Sequence, residues 1–341
     1  MRIRSGGVIG VAVSSAAVLA LSACGGSAGA SSSGGDSGGK VTLSLVAYST
    51  PQAAYEKIIS AFQQTPEGKN VEFQQSYGAS GDQSRAVAAG LEADVVEFSL
   101  APDMQRLVDA GLVAKDWDKH RYKGMVTDSV VVIATRKGNP KGLSDWPDLL
   151  KPGVEVITPN PFTSGGARWN LMAAYGGALA EGDSETEAQS YLGELLKHVP
   201  VQDNSARDSL QTFTQGKGDA LLSYENDAIF AQQNGQAIDY TVPDHTILIE
   251  NPVAVTRSSA HPAEAKAFVD FLYSDTAQKI FSDNGYRPIV KSDATLDFPQ
   301  PSGLFTIDKF GGWDAVMTTF FDAENGVVGK IEQGLGVPTS K

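Results

Sequence analysis

The residues best suited to chemistry lie where a β-branched run gives way to a glycine-rich helix start. Val154 to Thr158 is followed by two prolines, and Thr163-Ser164-Gly165-Gly166 then precedes a helix-forming segment that continues through Leu179. A helix N-terminus has unpaired N–H donors and a partial positive charge, and glycine allows its backbone to approach a ligand closely. The stretch therefore predicts an anion-binding site at a helix N-terminus, which we call a seat, or, alternatively, a plain capped helix.

Three further stretches have the same order of strand, serine and helix start. Ser49 follows the predicted strand Val41–Tyr48, and Ser80 follows the predicted strand Val71–Gln75. The fourth seat is Asn204-Ser205-Ala206-Arg207, which begins a helix that ends near Gly216. Because ligands of open α/β sheets bind outside the carboxyl ends of strands, these four seats can face one cleft.

The elements that must position these seats alternate between strand and helix patterns, which indicates an α/β fold with parallel or mixed sheets. Ser129–Thr135 is apolar throughout and predicts a buried central or crossover strand. Two seats precede this strand and two follow it. We also expect separate short strands over Thr246–Glu250 and Pro252–Thr256, the second returning the chain across the fold. Glu181–Glu187 predicts a solvated loop, and Gln189–His198 predicts an amphipathic helix.

The beginning of the chain predicts export and anchoring. Arg2 and Arg4 precede an uncharged apolar segment that is too short for a settled transmembrane helix and is typical of a secretory signal peptide over residues 1–23. Leu-Ser-Ala-Cys, ending at Cys24, resembles the lipobox of bacterial lipoproteins, and an ordinary signal peptide is the alternative. Cys24 is the only cysteine, so no internal disulfide is expected. Residues 24–39 are mostly Gly, Ser and Ala and predict a flexible tether.

The charge balance excludes some partners. Without residues 1–23 the chain loses two of its 27 Lys and Arg and none of its 40 Asp and Glu, which leaves a formal charge of −15. Such an acidic chain lacks the basic footprint that nucleic acid requires. About 300 residues remain after the tether, which is enough for two α/β domains.

No arrangement for catalysis or metal binding is evident in the sequence. The four histidines lie far apart, and the zinc, nucleophile-elbow and phosphate-loop patterns are absent. We therefore expect no enzymatic activity, no metal and no cofactor. An α/β hydrolase anchored outside the membrane is the least favoured alternative.

Several other side chains invite a functional interpretation. Tyr224 ends a predicted strand directly before a helix, so its hydroxyl is expected to reach the cleft and donate to a ligand. Arg168 and Arg207 lie just inside two of the seats, and bracing of the loops is favoured over direct pairing with a ligand. The tryptophans at 146, 169 and 313 are expected to pack in cores or between domains.

The chain resembles the periplasmic sulfate-binding proteins that supply ABC transporters, over roughly Val41 to Phe321. The motifs that carry the resemblance are Gly90-Leu91-Glu92-Ala93-Asp94-Val95-Val96, Arg136-Lys137-Gly138-Asn139-Pro140-Lys141, Ile157-Thr158-Pro159-Asn160-Pro161 with Ser164-Gly165-Gly166-Ala167-Arg168-Trp169-Asn170, and Leu304-Phe305-Thr306-Ile307-Asp308 with Phe310-Gly311-Gly312-Trp313.

The resemblance implies a two-domain periplasmic-binding-protein (type II) fold with a hinge of crossover strands. The expected divisions are residues 40–128 with 254–295 as domain I, 129–253 as domain II, and 296–341 as a C-terminal extension that packs back on the domains. Members of the family hold sulfate with uncharged donors. By position, the sulfate-binding residues would be Ser49, Ser80, Ser164, Gly165, Gly166, Ala206 and Tyr224.

Two positions depart from the family pattern. Ser49 stands where the family commonly has Asp, which matters little if the contact is a main-chain amide. Tyr224 stands where the family has an indole donor, and a tyrosine hydroxyl can also accept a hydrogen bond. Thiosulfate-binding relatives tend to have Asn at the position of Gly166, so this glycine favours sulfate.

The resemblance implies a function as well as a fold. We expect a monomeric sulfate receptor, lipid-anchored on the outer face of the cell membrane, that closes over the anion and delivers it to ABC permease subunits. Receptors for thiosulfate, molybdate or phosphate are the alternatives within this class.

Overall fold

The structure of the protein, a computed structural model, describes residues 39–290 and 296–339. The expected signal peptide, the lipidation site at Cys24 and nearly all of the tether lie outside these residues. From Gly39 onward the chain forms one compact unit.

Strands and helices alternate along the described residues, as the sequence pattern predicts. The strands are β1 (Val41–Tyr48), β2 (Val71–Gly78), β3 (Val95–Glu97), β4 (Met125–Arg136), β5 (Val156–Ile157), β6 (Ala220–Tyr224), β7 (Ile238–Thr241) and β8 (Leu248–Val255). The α-helices are α1 (Gln52–Phe62), α2 (Ser80–Ala88), α3 (Ala101–Asp109), α4 (Gly165–Ala180), α5 (Glu185–Lys197), α6 (Ala206–Thr214), α7 (Glu225–Gln233), α8 (Pro262–Leu272), α9 (Asp275–Asp283), α10 (Gly312–Thr319) and α11 (Val327–Leu335). Short 3-10 helices span Trp146–Leu150 and Ile307–Phe310.

The described strands form one mixed sheet in the order β2-β1-β3-β8-β4-β6-β5, with β7 paired to β4. β1 is parallel to β2 and β3, and β5 is parallel to β6. The two long strands β4 and β8 run antiparallel to each other in the middle of the sheet. The last residues of β8 pair with β3, whereas the second half of β4 pairs with β6 and β7. β4 and β8 are thus the strands that connect the two ends of the sheet.

Apolar side chains are buried in clusters on either side of this strand pair. One cluster joins β1 to α1, α8 and α9, and its α1 members are the residues whose helical spacing is evident in the sequence: Ala54, Tyr55, Ile58, Ile59 and Phe62. Another joins β4 and β6 to α4 and α5 and includes side chains of the C-terminal elements, among them Phe305, Phe320 and Phe321. The seats are therefore carried by elements with their own packed cores.

Two expectations about individual elements are wrong. The acidic segment 181–187 is not a loop throughout, because α5 begins at Glu185 with a capping box formed by Ser184 and Glu187. The two strands expected around Pro252 are a single strand, β8. Pro252 is tolerated there because the β4–β8 register shifts between Met125 and Thr127, and a proline needs no ladder N–H at such an irregularity.

Candidate functional site

The start of α4 provides a hydroxyl and a close backbone approach. Ser164 is buried and is the N-cap of this helix, and its Oγ accepts a hydrogen bond of 3.4 Å from the Ala167 N–H. The cap uses a lone pair of the hydroxyl, so its proton is left to donate to another group. Arg168 braces the preceding loop, because its Nε donates to the Pro161 carbonyl at 2.8 Å.

Gly166 is the position where predicted residues from three elements meet. A Cβ built on Gly166 would lie 3.4 Å from Ser164 Oγ, 3.4 Å from Tyr224 Cε1 and 3.6 Å from the Ala206 Cβ. These residues belong to the starts of α4, α7 and α6. The structure therefore brings Ser164, Gly166, Ala206 and Tyr224 together, although they are far apart in the sequence.

The start of α6 also touches the loop after β1. The Arg207 N–H donates to Ser49 Oγ at 3.4 Å, and the Arg207 guanidinium donates to the Thr50 carbonyl at 2.8 Å. The same guanidinium forms an ion pair of 3.3 Å with buried Asp227 and stacks 4.0 Å from the Phe230 ring centroid. Arg207 thus has the bracing contacts that the sequence favours, and Ser49 lies beside the α6 seat.

The start of α2 reaches the α4 seat through its backbone. The Gly81 N–H donates to the Thr163 carbonyl at 3.0 Å. The Ser80 hydroxyl is engaged elsewhere, because it donates to Asp103 Oδ2 at 2.6 Å and accepts from the Ser99 N–H at 3.0 Å. What Ser80 can offer a ligand is therefore its backbone N–H and not its side chain.

Several buried N–H groups at these helix starts have no partner. Across residues 39–290 and 296–339, no hydrogen bond uses the backbone N–H of Ser49, Ser80, Gly165, Gly166 or Ala206. All five residues are buried. Buried backbone donors without a partner are rare in folded proteins, and five at adjacent helix starts indicate a ligand with several acceptors.

Tyr224 adds a side-chain hydroxyl to the cluster. It is almost completely buried at the end of β6, and burial raises the pKa of its hydroxyl well above the ordinary value, so it stays protonated. Its Oη lies 2.6 Å from Ser99 Oγ. Sequence reasoning did not include Ser99 in the site. The signal was present, because Ser99 follows β3 and precedes α3 in the same order of strand, serine and helix.

Two of the carboxylates near these helix starts, those of Asp82 and Asp203, have both of their oxygens engaged. Asp82 binds Arg85 through Oδ1 and Asn204 through Oδ2. Asp203 accepts hydrogen bonds from Ser209 and Thr212 through its two oxygens. Glu225 is paired with Arg287 through Oε2 at 2.7 Å, and its buried Oε1 has no hydrogen-bond partner among the described residues. The arrangement presents hydrogen-bond donors, and it can bind an anion that has no proton to donate.

The tryptophans pack as the sequence predicts. Trp146 and Trp169 are almost completely buried, and Trp313 stands edge-on to Trp169 at a ring distance of 4.6 Å. Trp169 also contributes to the site indirectly, because its Nε1 donates to the Ser99 carbonyl at 2.8 Å.

The described residues also bear on other kinds of function. They contain no group of three or more His, Cys, Asp or Glu side chains placed to hold a metal ion. None of the helices within 39–290 and 296–339 is long and apolar enough to cross a membrane.

Comparisons with known proteins give a consistent result. Residues 43–287 match the family model for bacterial extracellular solute-binding proteins. A sulfate-binding protein from Synechococcus elongatus is 43% identical over 336 residues, which covers 95% of each chain. A thiosulfate-binding protein from Pseudomonas aeruginosa is 37% identical over 302 residues and covers 84% of this chain and 90% of its own.

A solved structure agrees with the sequence comparisons. The sulfate-binding protein SubI from Mycobacterium tuberculosis H37Rv is 43% identical and superposes with a TM-score of 0.79, covering 82% of this chain and 99% of its own.

Proposed function

This chain belongs to the sulfate-binding group of the bacterial extracellular solute-binding proteins and has their α/β, type II periplasmic-binding-protein fold, and we propose that it binds inorganic sulfate for an ABC importer. It acts outside the cytoplasm and passes the anion to the permease subunits. It binds one sulfate and releases it unchanged, without turnover.

The observation that carries this proposal is the set of five buried N–H groups, at the starts of neighbouring helices, that have no partner among the described residues. With the hydroxyls of Ser164 and Tyr224, seven donors are available to one anion. Seven hydrogen bonds to a charged group, at about 1.5–3 kcal/mol each, sum to roughly 10–20 kcal/mol. Micromolar binding requires only about 8 kcal/mol after the costs of ordering and closure. Cationic side chains are therefore unnecessary, and the acidic net charge is no obstacle.

The donor set favours sulfate over phosphate. Sulfate has no proton at neutral pH, so every one of its oxygens can accept. Monohydrogen phosphate must place its own O–H against an acceptor, and Asp82 and Asp203 are already occupied. A phosphate proton left unpaired in a buried site is penalised strongly. Thiosulfate is the second candidate, since a thiosulfate-binding protein is among the similar proteins.

Binding proceeds by closure of two domains over the anion. Residues 40–128 with 254–295 form one domain, residues 129–253 form the other, and β4 and β8 supply the hinge. The contacts of Gly81 with Thr163 and of Arg207 with Thr50 fit such closure, because each joins one proposed domain to the other. They describe the closed form, in which the helix starts meet.

The N-terminal segment anchors the receptor. Lipidation at Cys24, after removal of residues 1–23, holds the folded part near the membrane through the tether. The protein works as a monomer. Mass spectrometry of the protein purified from membranes checks the anchor: a diacylated N-terminal peptide starting at Cys24 is expected, and an unmodified cysteine contradicts it.

Calorimetric titration tests the proposed ligand. Purified protein is titrated with sulfate, selenate, thiosulfate, molybdate and phosphate. Sulfate and selenate should bind with a stoichiometry of one, whereas phosphate should give no heat. Gly166→Asp is the negative control, because a carboxylate beside the anion repels it. Clear heat with phosphate and none with sulfate contradicts the proposal, and preference for thiosulfate supports the second candidate.

A further inference from the structure

The backbone of Ser99 is held by hydrogen bonds to three other elements. It lies between β3 and α3 and is almost completely buried. Its N–H donates to Ser80 Oγ at 3.0 Å, and its carbonyl accepts from Trp169 Nε1 at 2.8 Å and from Asn251 Nδ2 at 3.0 Å. These partners come from α2, α4 and β8. The backbone of Ser99 is therefore fixed, and only the orientation of its hydroxyl O–H can still vary.

The hydroxyls of Ser99 and Tyr224 carry two protons, and the hydrogen bond between them uses only one of the two. Their oxygens lie 2.6 Å apart, so one of the two protons occupies that bond. Among the residues that the structure describes, Asn251 is a further partner of Tyr224, and its side-chain hydrogen bond lowers the pKa of the hydroxyl, as a donor to the hydroxyl oxygen does. Asn251 Oδ1 already accepts from Thr127, so Asn251 takes up neither proton of the pair. The second proton therefore needs an acceptor, although both residues are buried. A buried hydroxyl proton without an acceptor is costly, which favours an anion at this point.

Ser99 and Tyr224 lie beside Gly165 and Gly166, which is where an anion that accepts the second proton would be expected. A Cβ on Gly165 would come within 2.6 Å of Ser99 Oγ, and one on Gly166 would lie 3.4 Å from the Tyr224 ring. Both glycines have unpartnered N–H groups. The second hydroxyl proton of the pair and the two glycine N–H groups therefore lie close to one another, around one site.

We propose that Ser99 is a positioning residue that makes Tyr224 a donor-only group, an inference that rests on the proposed sulfate-binding function. The Ser99 hydroxyl donates to Tyr224 Oη, and the Tyr224 proton is left for the anion. In this direction the more acidic hydroxyl faces the ligand, and the two hydrogen bonds strengthen each other.

The arrangement has a consequence for selectivity. An indole N–H only donates, whereas a lone tyrosine hydroxyl can also accept a proton from a ligand. Because Ser99 occupies the acceptor side of Tyr224, a protonated oxyanion finds no acceptor there. Tyr224 with Ser99 then discriminates against monohydrogen phosphate as an indole does, and Tyr224 without Ser99 does not.

The experiment is a double-mutant cycle read with two ligands. Sulfate and phosphate are titrated, by direct and competition calorimetry at mildly alkaline pH, into the unmutated protein, Ser99→Ala, Tyr224→Phe and the double variant. Ser99→Ala should weaken sulfate binding about tenfold and bring the affinities for phosphate and sulfate at least fivefold closer together, on the scale of one hydrogen bond. On the Tyr224→Phe background the same substitution should change sulfate affinity by less than about twofold.

Ser282→Ala is the matched control. Ser282 is fully buried in α9, and its Oγ has no partner among the described residues, so its loss should leave both affinities unchanged. An equal weakening of sulfate and phosphate in Ser99→Ala, or an undiminished effect on the Tyr224→Phe background, overturns the positioning role. Unchanged affinities in Ser99→Ala overturn it as well. Failure of the unmutated protein to bind sulfate counts instead against the proposed function.

Discussion

The guanidinium of Arg207 donates a hydrogen bond of 2.8 Å to the backbone carbonyl of Thr50 and thereby joins the first turn of α6 to the loop after β1. These two segments belong to different proposed domains, and each contributes an unpartnered N–H to the candidate site. Under the proposed domain closure, the bond would form only when the helix starts meet. Arg207 is thus placed to stabilise the closed, ligand-binding arrangement without contacting the anion.

Replacement of Arg207 by lysine should weaken sulfate binding about tenfold, because a lysine keeps the charge beside Asp227 but loses the planar fork. Arg136→Lys is the matched control: Arg136 also stacks on a phenylalanine, 3.9 Å from the Phe213 ring centroid, and donates to backbone carbonyls, but it lies away from the cleft. Calorimetry and thermal melts measure both variants. Lower stability with unchanged affinity is expected for the control, and the same result for Arg207→Lys refutes the closing role.

The two glycines of the α4 seat should respond differently to alanine. A Cβ at Gly165 would lie 2.6 Å from Leu100 Cδ2 and 2.8 Å from Ser99 Cβ, which forces neighbours to move, so Gly165→Ala should lower both the melting temperature and sulfate affinity. The nearest contacts at Gly166 are 3.4 Å, so Gly166→Ala should melt normally but lose affinity at least tenfold, because its methyl enters the anion space. Full affinity in Gly166→Ala places the anion elsewhere.

Ser164→Ala should lose a helix cap and an anion donor together. Loss of the cap costs about 1 kcal/mol of folding free energy, and loss of the donor weakens sulfate binding about tenfold or more. Ser274 caps α9 in the same way, with its Oγ accepting from the Ala277 N–H at 3.2 Å, far from the seats. Ser274→Ala should therefore show the stability loss alone in denaturant unfolding. Equal sulfate affinities in the two variants remove the Ser164 hydroxyl from the site.

Glu97 should make the folded protein less stable as the pH rises. It is fully buried and accepts a hydrogen bond from the Tyr55 hydroxyl, and burial raises its pKa from 4.5 to about 8. Between pH 4.5 and about 8 the folded protein keeps the Glu97 proton, whereas the unfolded chain has released it. The contribution of Glu97 to the free energy of unfolding is therefore complete below pH 4.5 and is lost as the pH rises to about 8.

Glu97→Gln imitates the protonated side chain and should remove this dependence. Its free energy of unfolding should exceed that of the unmutated protein progressively with pH in this window, by up to about 1.4 kcal/mol per pH unit. Urea unfolding at a series of pH values measures the difference. Glu324→Gln, at an exposed turn, is the control, and its free energy of unfolding should vary with pH as that of the unmutated protein does. If the free energy of Glu97→Gln also follows that of the unmutated protein, Glu97 is ionised in the folded state.

Elements with a clear local pattern could be predicted from the sequence alone. β1 has the predicted bounds, and the buried face of α1 follows a helical spacing that is evident in the sequence. α5 begins earlier than expected because its acidic first turn is held by the Ser184 capping box, which is a local signal. β8 continues through Pro252, where the sequence predicts two strands, because proline is tolerated where a strand changes partners. Only the sheet reveals that change.

The sequence by itself determined the helix starts, with their serines and glycines, because capping and chain reversal depend on residues within a few positions of one another. Only the tertiary structure decided which of those groups remain available. The Ser80 hydroxyl is used by Asp103, the five N–H groups are left without partners, and Ser99 meets Tyr224 across 125 positions of the chain. A buried donor is satisfied or left free by contacts between distant segments, and such contacts exist only in the folded chain.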